Sequence, residues 1–238
     1  MTAFHLRILA MVTMLCDHLW GTIVPGNEWL TCVGRLAFPI FAFQIVEGYT
    51  HTRSLKKYVL RLLAFALLSE IPFNLAIGGR WLYPIHQNVL WTFLIAIGMI
   101  RLNEKQRDKG LLRRITVAMA TVAFGALAGL ITMVDYYHVG VLTVLLFYFT
   151  RNLGKWRYGA ELLGMWYLNW EVLGGLVYEF SLFGSVVTFP QQGFALLALI
   201  PIWLYRGQQG HTSKAFRLFA YGFYPLHLLI LSLLRMVI

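Results

Sequence analysis

Nine apolar runs, each approaching the length of one bilayer crossing, follow one another along the chain with only short polar connections between them. They fall near residues 4–24, 33–52, 58–77, 87–101, 115–133, 136–150, 158–178, 189–205 and 217–237. In hydrocarbon no water satisfies peptide groups, so runs of this kind predict helices that complete their own hydrogen bonds. With 59% hydrophobic and 13% charged residues among 238, little material is left for a soluble domain. The expected fold is therefore all-α: a polytopic integral membrane helical bundle of about nine transmembrane helices, forming one domain over residues 1–238. The first run is too long for a signal-peptide core and lacks a small-residue cleavage site, so it reads as a retained helix. Cys16 and Cys32 show neither a disulfide framework nor metal-ligand spacing, and packing is their expected role.

The net charge of +10 does not point to nucleic acid, because the basic residues are spread over several loops rather than gathered on one segment. Their alternation is more informative. Of the 20 Lys and Arg residues, 17 fall on one side of the expected bundle and only Arg35, Arg80 and Arg235 on the other. The positive-inside rule then places the N-terminus in the cytoplasm and the C-terminus outside.

Ionisable groups inside such runs are costly, roughly 2.5 kcal/mol or more each on insertion scales, and usually face a protein interior or a watery cavity. Arg7, Asp17 and His18 all lie within the first run. Eleven helical steps bring Arg7 and His18 to within about 20° of one face and about 16 Å apart along the axis. One long ligand could therefore touch both. Toward the outer half lie Asp17, His18, Arg35, Ser69, Glu70, Asn74, His86 and Asn88. The inner half holds Arg7, Glu47, His51, Arg53, Lys56, Lys57 and Arg61, with Glu47 and His51 one turn apart on a shared face. Asn169, Glu171 and His227 have no partner assignable from sequence. Adjacent helical residues diverge by about 100°, so Asp17 is expected to pair with Arg35 rather than with His18. A buried histidine is kept neutral and so serves as a proton acceptor, which suits a general base. The alternative is a structural knot in which Asp17, His18 and Arg35 hold helices together.

The stretch Arg35-Leu-Ala-Phe-Pro-Ile-Phe-Ala-Phe-Gln-Ile-Val-Glu47-Gly-Tyr-Thr-His51-Thr-Arg53 resembles the second-helix signature of the TraX family. So do Met14-Leu-Cys-Asp17-His18, Tyr58 with Arg61-Leu, Ser69-Glu70-Ile-Pro72-Phe73-Asn74, and Tyr224-Pro225-Leu226-His227-Leu228. The resemblance covers residues 5–95 well and the last run moderately. It implies a multi-pass protein of the bacterial inner membrane related to the acetylase that blocks the N-terminus of conjugative pilin. That family is distantly similar to the broader transmembrane acyltransferases, in which a basic residue and a histidine with ten residues between them mark the first helix. Arg7 and His18 reproduce this spacing. By resemblance His18 is the catalytic base, and Arg7 binds the acyl donor.

The residues themselves fit acetyl-CoA as the donor, with no metal expected. Its phosphates would rest among Arg7, Arg53, Lys56, Lys57 and Arg61, with Glu47 and His51 in the same donor-binding group. The thioester would lie near His18, beside Asp17 and Arg35. An amine or hydroxyl on an extracytoplasmic acceptor (a peptide N-terminus, a glycan or a small molecule) would attack it. Glu70, Asn74 and Asn88 are the candidates for the acceptor and oxyanion side. Two rivals stand beside this acyltransferase. One is a proton-coupled secondary transporter, which uses the same intramembrane acids and histidines but usually shows an internal repeat absent here. The other is a non-catalytic membrane assembly protein. For the acyltransferase the first four runs and the last are expected to surround a polar cavity, with Arg7 at its inner mouth and His18 deeper.

Overall fold

A computed structural model describes residues 1–182 and 185–237. Helix α1 (Ala3–Thr22) starts at Thr2, whose side chain accepts from the His5 amide. Its first-turn N–H groups of Ala3 and Phe4 donate to the carbonyls of Gln208 and Gln209 at 2.8 and 3.0 Å. A distant loop thus supplies the partners that a helix start lacks. Helices α2 (Glu28–Gly34) and α3 (Ala37–His51) are interrupted at Arg35 and Leu36, because Pro39 has no N–H to bond the Arg35 carbonyl. Helix α4 (Leu55–Phe73) contains Pro72 and unwinds into a π-turn over Asn74–Gly78, closed by Gly79 at φ +63°. Asn88 caps α5 (Val89–Glu104), its side chain accepting from the Leu90 amide.

Helices α6 (Leu111–Ile131) and α7 (Tyr137–Thr150) form a hairpin, followed by α8 (Trp156–Trp166) and a π-turn over Tyr167–Leu173. A 3₁₀ stretch (Gln191–Ala198) leads into α9 (Leu199–Trp203), and α10 (Lys214–Val237) ends the bundle. The buried core gathers Leu6, Ile40, Ile100, Leu145, Phe147 and Met165 from α1, α3, α5, α7 and α8. Phe38 stacks between Tyr136 and Phe93, at 4.1 and 5.9 Å between ring centroids. By contrast, α6 buries only a seam of Thr121, Gly125 and Gly129 and exposes Leu112, Met119, Phe124 and Ile131, as a lipid-facing helix would.

The all-α expectation needs correction at one place. Strands β1 (Val177–Leu182) and β2 (Ser185–Pro190) pair antiparallel, Tyr178 opposite Phe189. The apolar run over 158–178 stops at Gly174 and Gly175, both with positive φ, and the residues beyond are β-branched and aromatic. Hydropathy alone does not separate such a segment from a helix. The expectation of nine crossings is met in part. Four helical stretches, Glu28–His51, Leu55–Gly78, Leu111–Ile131 and Lys214–Val237, are long and apolar enough to cross a membrane, and Tyr137–Thr150 and Gln191–Trp203 are shorter apolar helices. The other expected runs are helical too, as α1, α5 and α8, of 20, 16 and 11 residues, but are not among the stretches long and apolar enough to cross.

Polar ties gather at the two ends of the bundle. At the end where α1 begins, the Met1 amine donates to the Leu204 carbonyl at 2.5 Å, and Arg151 pairs with Glu104 at 2.6 Å. There the buried Glu161 also accepts from Trp203 Nε1 at 2.6 Å and Thr150 Oγ1 at 3.1 Å. At the opposite end Arg35 pairs with Asp17, His86 approaches Asp135 at 3.3 Å, and Arg235 donates to the Ala76 carbonyl at 3.3 Å.

Candidate functional site

Helices α1, α3, α4, α5 and α10 surround a cavity of ≈ 390 Å³. These are the first four expected runs and the last. At its mouth, near the start of α1, stand Arg7 from α1, Arg61 from α4 and Arg217 from α10, with Glu47 and His51 from α3. None of the three arginines has an ion-pair partner among the described residues. Arg61 lies 5.7 Å from the centroid of the Tyr221 ring. Three unpaired guanidinium groups converging from three helices make a cradle for an anion with several negative oxygens. Gly207, Gln209, His211 and Thr212 of the loop between α9 and α10 also form part of the wall, held there by the backbone bonds to residues 1–4.

Further in, the wall turns apolar: Met11, Met14, Phe41, Leu62, Phe93 and Phe223. Met14 and Tyr224 line it together. Beside Tyr224 sits a histidine pair, His18 from α1 and His227 from α10. Their Nδ1 and Nε2 atoms are 2.6 Å apart, and the rings meet edge to edge, 15° from coplanar with centroids 4.9 Å apart. The Tyr224 ring lies 6.4 Å from His18 and 6.0 Å from His227. His227 is buried, and its Nδ1 lies 2.6 Å from the Phe223 carbonyl oxygen. His18 is thus aligned with Arg7 along one helix; it is not among the residues that line the cavity, and the lining residue beside it is Tyr224.

The other sequence-derived candidates sort by what they touch. Asp17 and Arg35 pair as the helix geometry predicts. Thr31 Oγ1 donates to Asp17 Oδ1 at 2.6 Å, and the Arg35 Nε donates to the Thr31 carbonyl at 3.2 Å. Gly34 makes this approach possible, since a Cβ there would lie 2.4 Å from the Asp17 Cβ. Glu47 and His51 sit 3.8 Å apart, within the cavity mouth. Arg53, Lys56 and Lys57 are exposed and stand outside the cavity wall.

Asn88 donates both amide hydrogens, one to the Ala66 carbonyl at 2.9 Å and one to Glu70, while its oxygen caps α5. It has no donor to spare for an oxyanion. Glu70 also accepts from Trp91 Nε1 at 3.0 Å, so Glu70 and Asn88 together tie α4 to α5. Asn74 donates to the Trp81 carbonyl at 3.2 Å, and its own Oδ1 is buried without a partner among the described residues. The sequence singles out His227 but not its partner, and it does not single out Arg217. His227 lies 209 positions from the residue it touches. Arg217 reads as one more basic residue of a loop until α10 turns it into the cavity.

A protein-family model described as TraX protein matches residues 3–235. Among curated proteins, the probable fimbrial assembly protein FimC, serogroup H1, of Dichelobacter nodosus is 25% identical over 252 residues, covering 99% of this chain and 96% of that one. No solved structure matches the chain.

Proposed function

The chain belongs to the TraX family, and on that premise we propose that it is a membrane-embedded acyltransferase drawing acetyl groups from cytoplasmic acetyl-CoA. One observation carries this reading: a cavity is lined by three arginines without ion-pair partners among the described residues and by Tyr224, whose ring lies 6.4 and 6.0 Å from the two members of a hydrogen-bonded histidine pair. The phosphates of the donor rest on Arg7, Arg61 and Arg217, at a mouth turned to the cytoplasm of a bacterial inner membrane. Its pantetheine arm lies along the apolar wall and brings the thioester toward His18. An amine or hydroxyl of an extracytoplasmic acceptor attacks the thioester carbonyl, His18 takes the proton, the C–S bond breaks, and the proton passes to the leaving thiolate. Asp17 and Arg35 fix α1 against α2 beside this point.

The name of the Dichelobacter nodosus relative, a fimbrial assembly protein, favours the peptide N-terminus of a surface-fibre subunit among the possible acceptors. The same name supports a second reading, in which the protein assists assembly without catalysis and the histidine pair only staples α1 to α10. Purified protein incubated with acetyl-labelled acetyl-CoA and an envelope extract separates the two. Transfer of label to a defined acceptor, abolished in His18→Ala, supports the enzyme; no transfer and no CoA-dependent thermal stabilisation supports the assembly role.

A further inference from the structure

A carbonyl oxygen can only accept a hydrogen bond. His227 Nδ1, 2.6 Å from the Phe223 carbonyl, therefore carries a proton, and in the neutral ring its Nε2 is bare. His18 Nδ1 lies 2.6 Å from that bare nitrogen and must be the donor to it. Neutral His18 then keeps its lone pair on Nε2, the one ring nitrogen of the pair that makes no hydrogen bond among the described residues. The carboxylate nearest in sequence is not available for the orienting role, since Asp17 is bound by Arg35 and Thr31. The His227 ring is itself held between His18 and Phe223, the latter stacked at 4.7 Å between centroids.

Resting on the acyl-transfer reading, we propose that His227 is a positioning residue: it fixes His18 in the Nδ1–H tautomer and makes His18 Nε2 the proton-accepting atom. As the acceptor's nucleophile forms its bond to the thioester carbon, its proton moves to His18 Nε2. The Nδ1–H bond to His227 then becomes charge-assisted and holds the imidazolium until the departing thiolate takes the proton from Nε2. His227 thus does with a neutral ring what a carboxylate does in the serine hydrolase triad.

The test uses the full chain in nanodiscs with ¹⁵N-labelled histidine, the His18 signals being assigned by difference against His18→Asn. The expected spectrum shows His18 protonated at Nδ1 and bare at Nε2. His227→Gln, whose side-chain oxygen can accept from His18, should keep that tautomer and most of the turnover. His227→Met has the same reach but no comparable acceptor. It should release the tautomer and lower kcat by roughly 100-fold or more, the scale reached when a histidine base is held wrongly. The KM for acetyl-CoA should stay within about twofold. A wild-type His18 protonated at Nε2, or equal kcat in the two variants, overturns the proposal. Should the methionine variant fail to fold, the wild-type spectrum decides alone. Absence of any transfer by the wild type would instead remove the acyl-transfer reading, and the spectrum would still decide the tautomer.

Discussion

At the residue scale, the proposed acyl transfer divides the labour between Arg7 and His18. A cation at the mouth meets phosphate in the ground state and the transition state alike, whereas a base acts only as the bond forms. Arg7→Ala or Arg217→Ala should therefore weaken acetyl-CoA binding, read by calorimetry, and raise KM more than they lower kcat. His18→Ala should leave that affinity in place and cut transfer by roughly 100- to 10,000-fold. Full transfer by a folded His18→Ala protein would eliminate the mechanism. The Asp17–Arg35 pair makes a different kind of claim, about stability. Removing one partner strands a charge, so Arg35→Met alone should cost about 3–5 kcal/mol, while Arg35→Met with Asp17→Leu should recover most of the loss in thermal unfolding. Equal losses in single and double variants would show that the pair is not the tie it looks to be. This pairing was readable in the sequence because both residues lie near one end of consecutive helices, where angular arithmetic suffices. The histidine pair was not, since nothing local links the first helix to the last.

Between elements, the clearest constraint is the α6–α7 hairpin. A Cβ at Gly129 would come 2.6 Å from the Tyr137 carbonyl oxygen and 3.1 Å from the His138 Cα, both backbone atoms that cannot swing aside. Gly129→Ala should push the helices apart and cost about 1–3 kcal/mol, measured as a lower melting temperature. The turn between them holds Met133, Tyr136 and Tyr137 at φ +52°, +60° and +46°, a conformation that side chains resist. Tyr136 compensates by stacking on Phe38, but Met133 is 42% exposed. Its backbone bonds, to Leu130 and from Gln87, need no side chain. Met133→Gly should therefore raise stability by up to about 1 kcal/mol, the relief of strain exceeding the entropy that glycine loses. An unchanged or lower melting temperature would mean that the methionine packs more than its exposure suggests. Elements of this kind are partly hidden from sequence. Long apolar helices announce themselves, but the strand pair, 177–182 with 185–190, falls mostly in the connection between the apolar runs over 158–178 and 189–205. Its identity rests on the two glycines before it and on residues that fit a pleated surface.

For the whole molecule, the charge pattern and the structure meet in one directional statement. The loops around 105–110, 151–155 and 206–213 belong to the same end of the bundle as Arg7, and that end carries 17 of the 20 Lys and Arg residues. The β-hairpin belongs to the other end, where Tyr178 Oη lies 3.3 Å from Cys32 Sγ. If the basic end faces the cytoplasm, the arginine cradle opens where acetyl-CoA is made and the histidine pair lies toward the compartment of the acceptor. That orientation can be read without any assay of activity. With Cys16 and Cys32 replaced by Ser, cysteines introduced as Lys109→Cys and Glu179→Cys should behave oppositely toward a membrane-impermeant maleimide applied to intact spheroplasts. Glu179→Cys should label at once, and Lys109→Cys only after the membrane is opened. The reverse pattern would turn the cradle away from the cytoplasm, so a cytoplasmic nucleotide could no longer be the ligand that its three arginines hold.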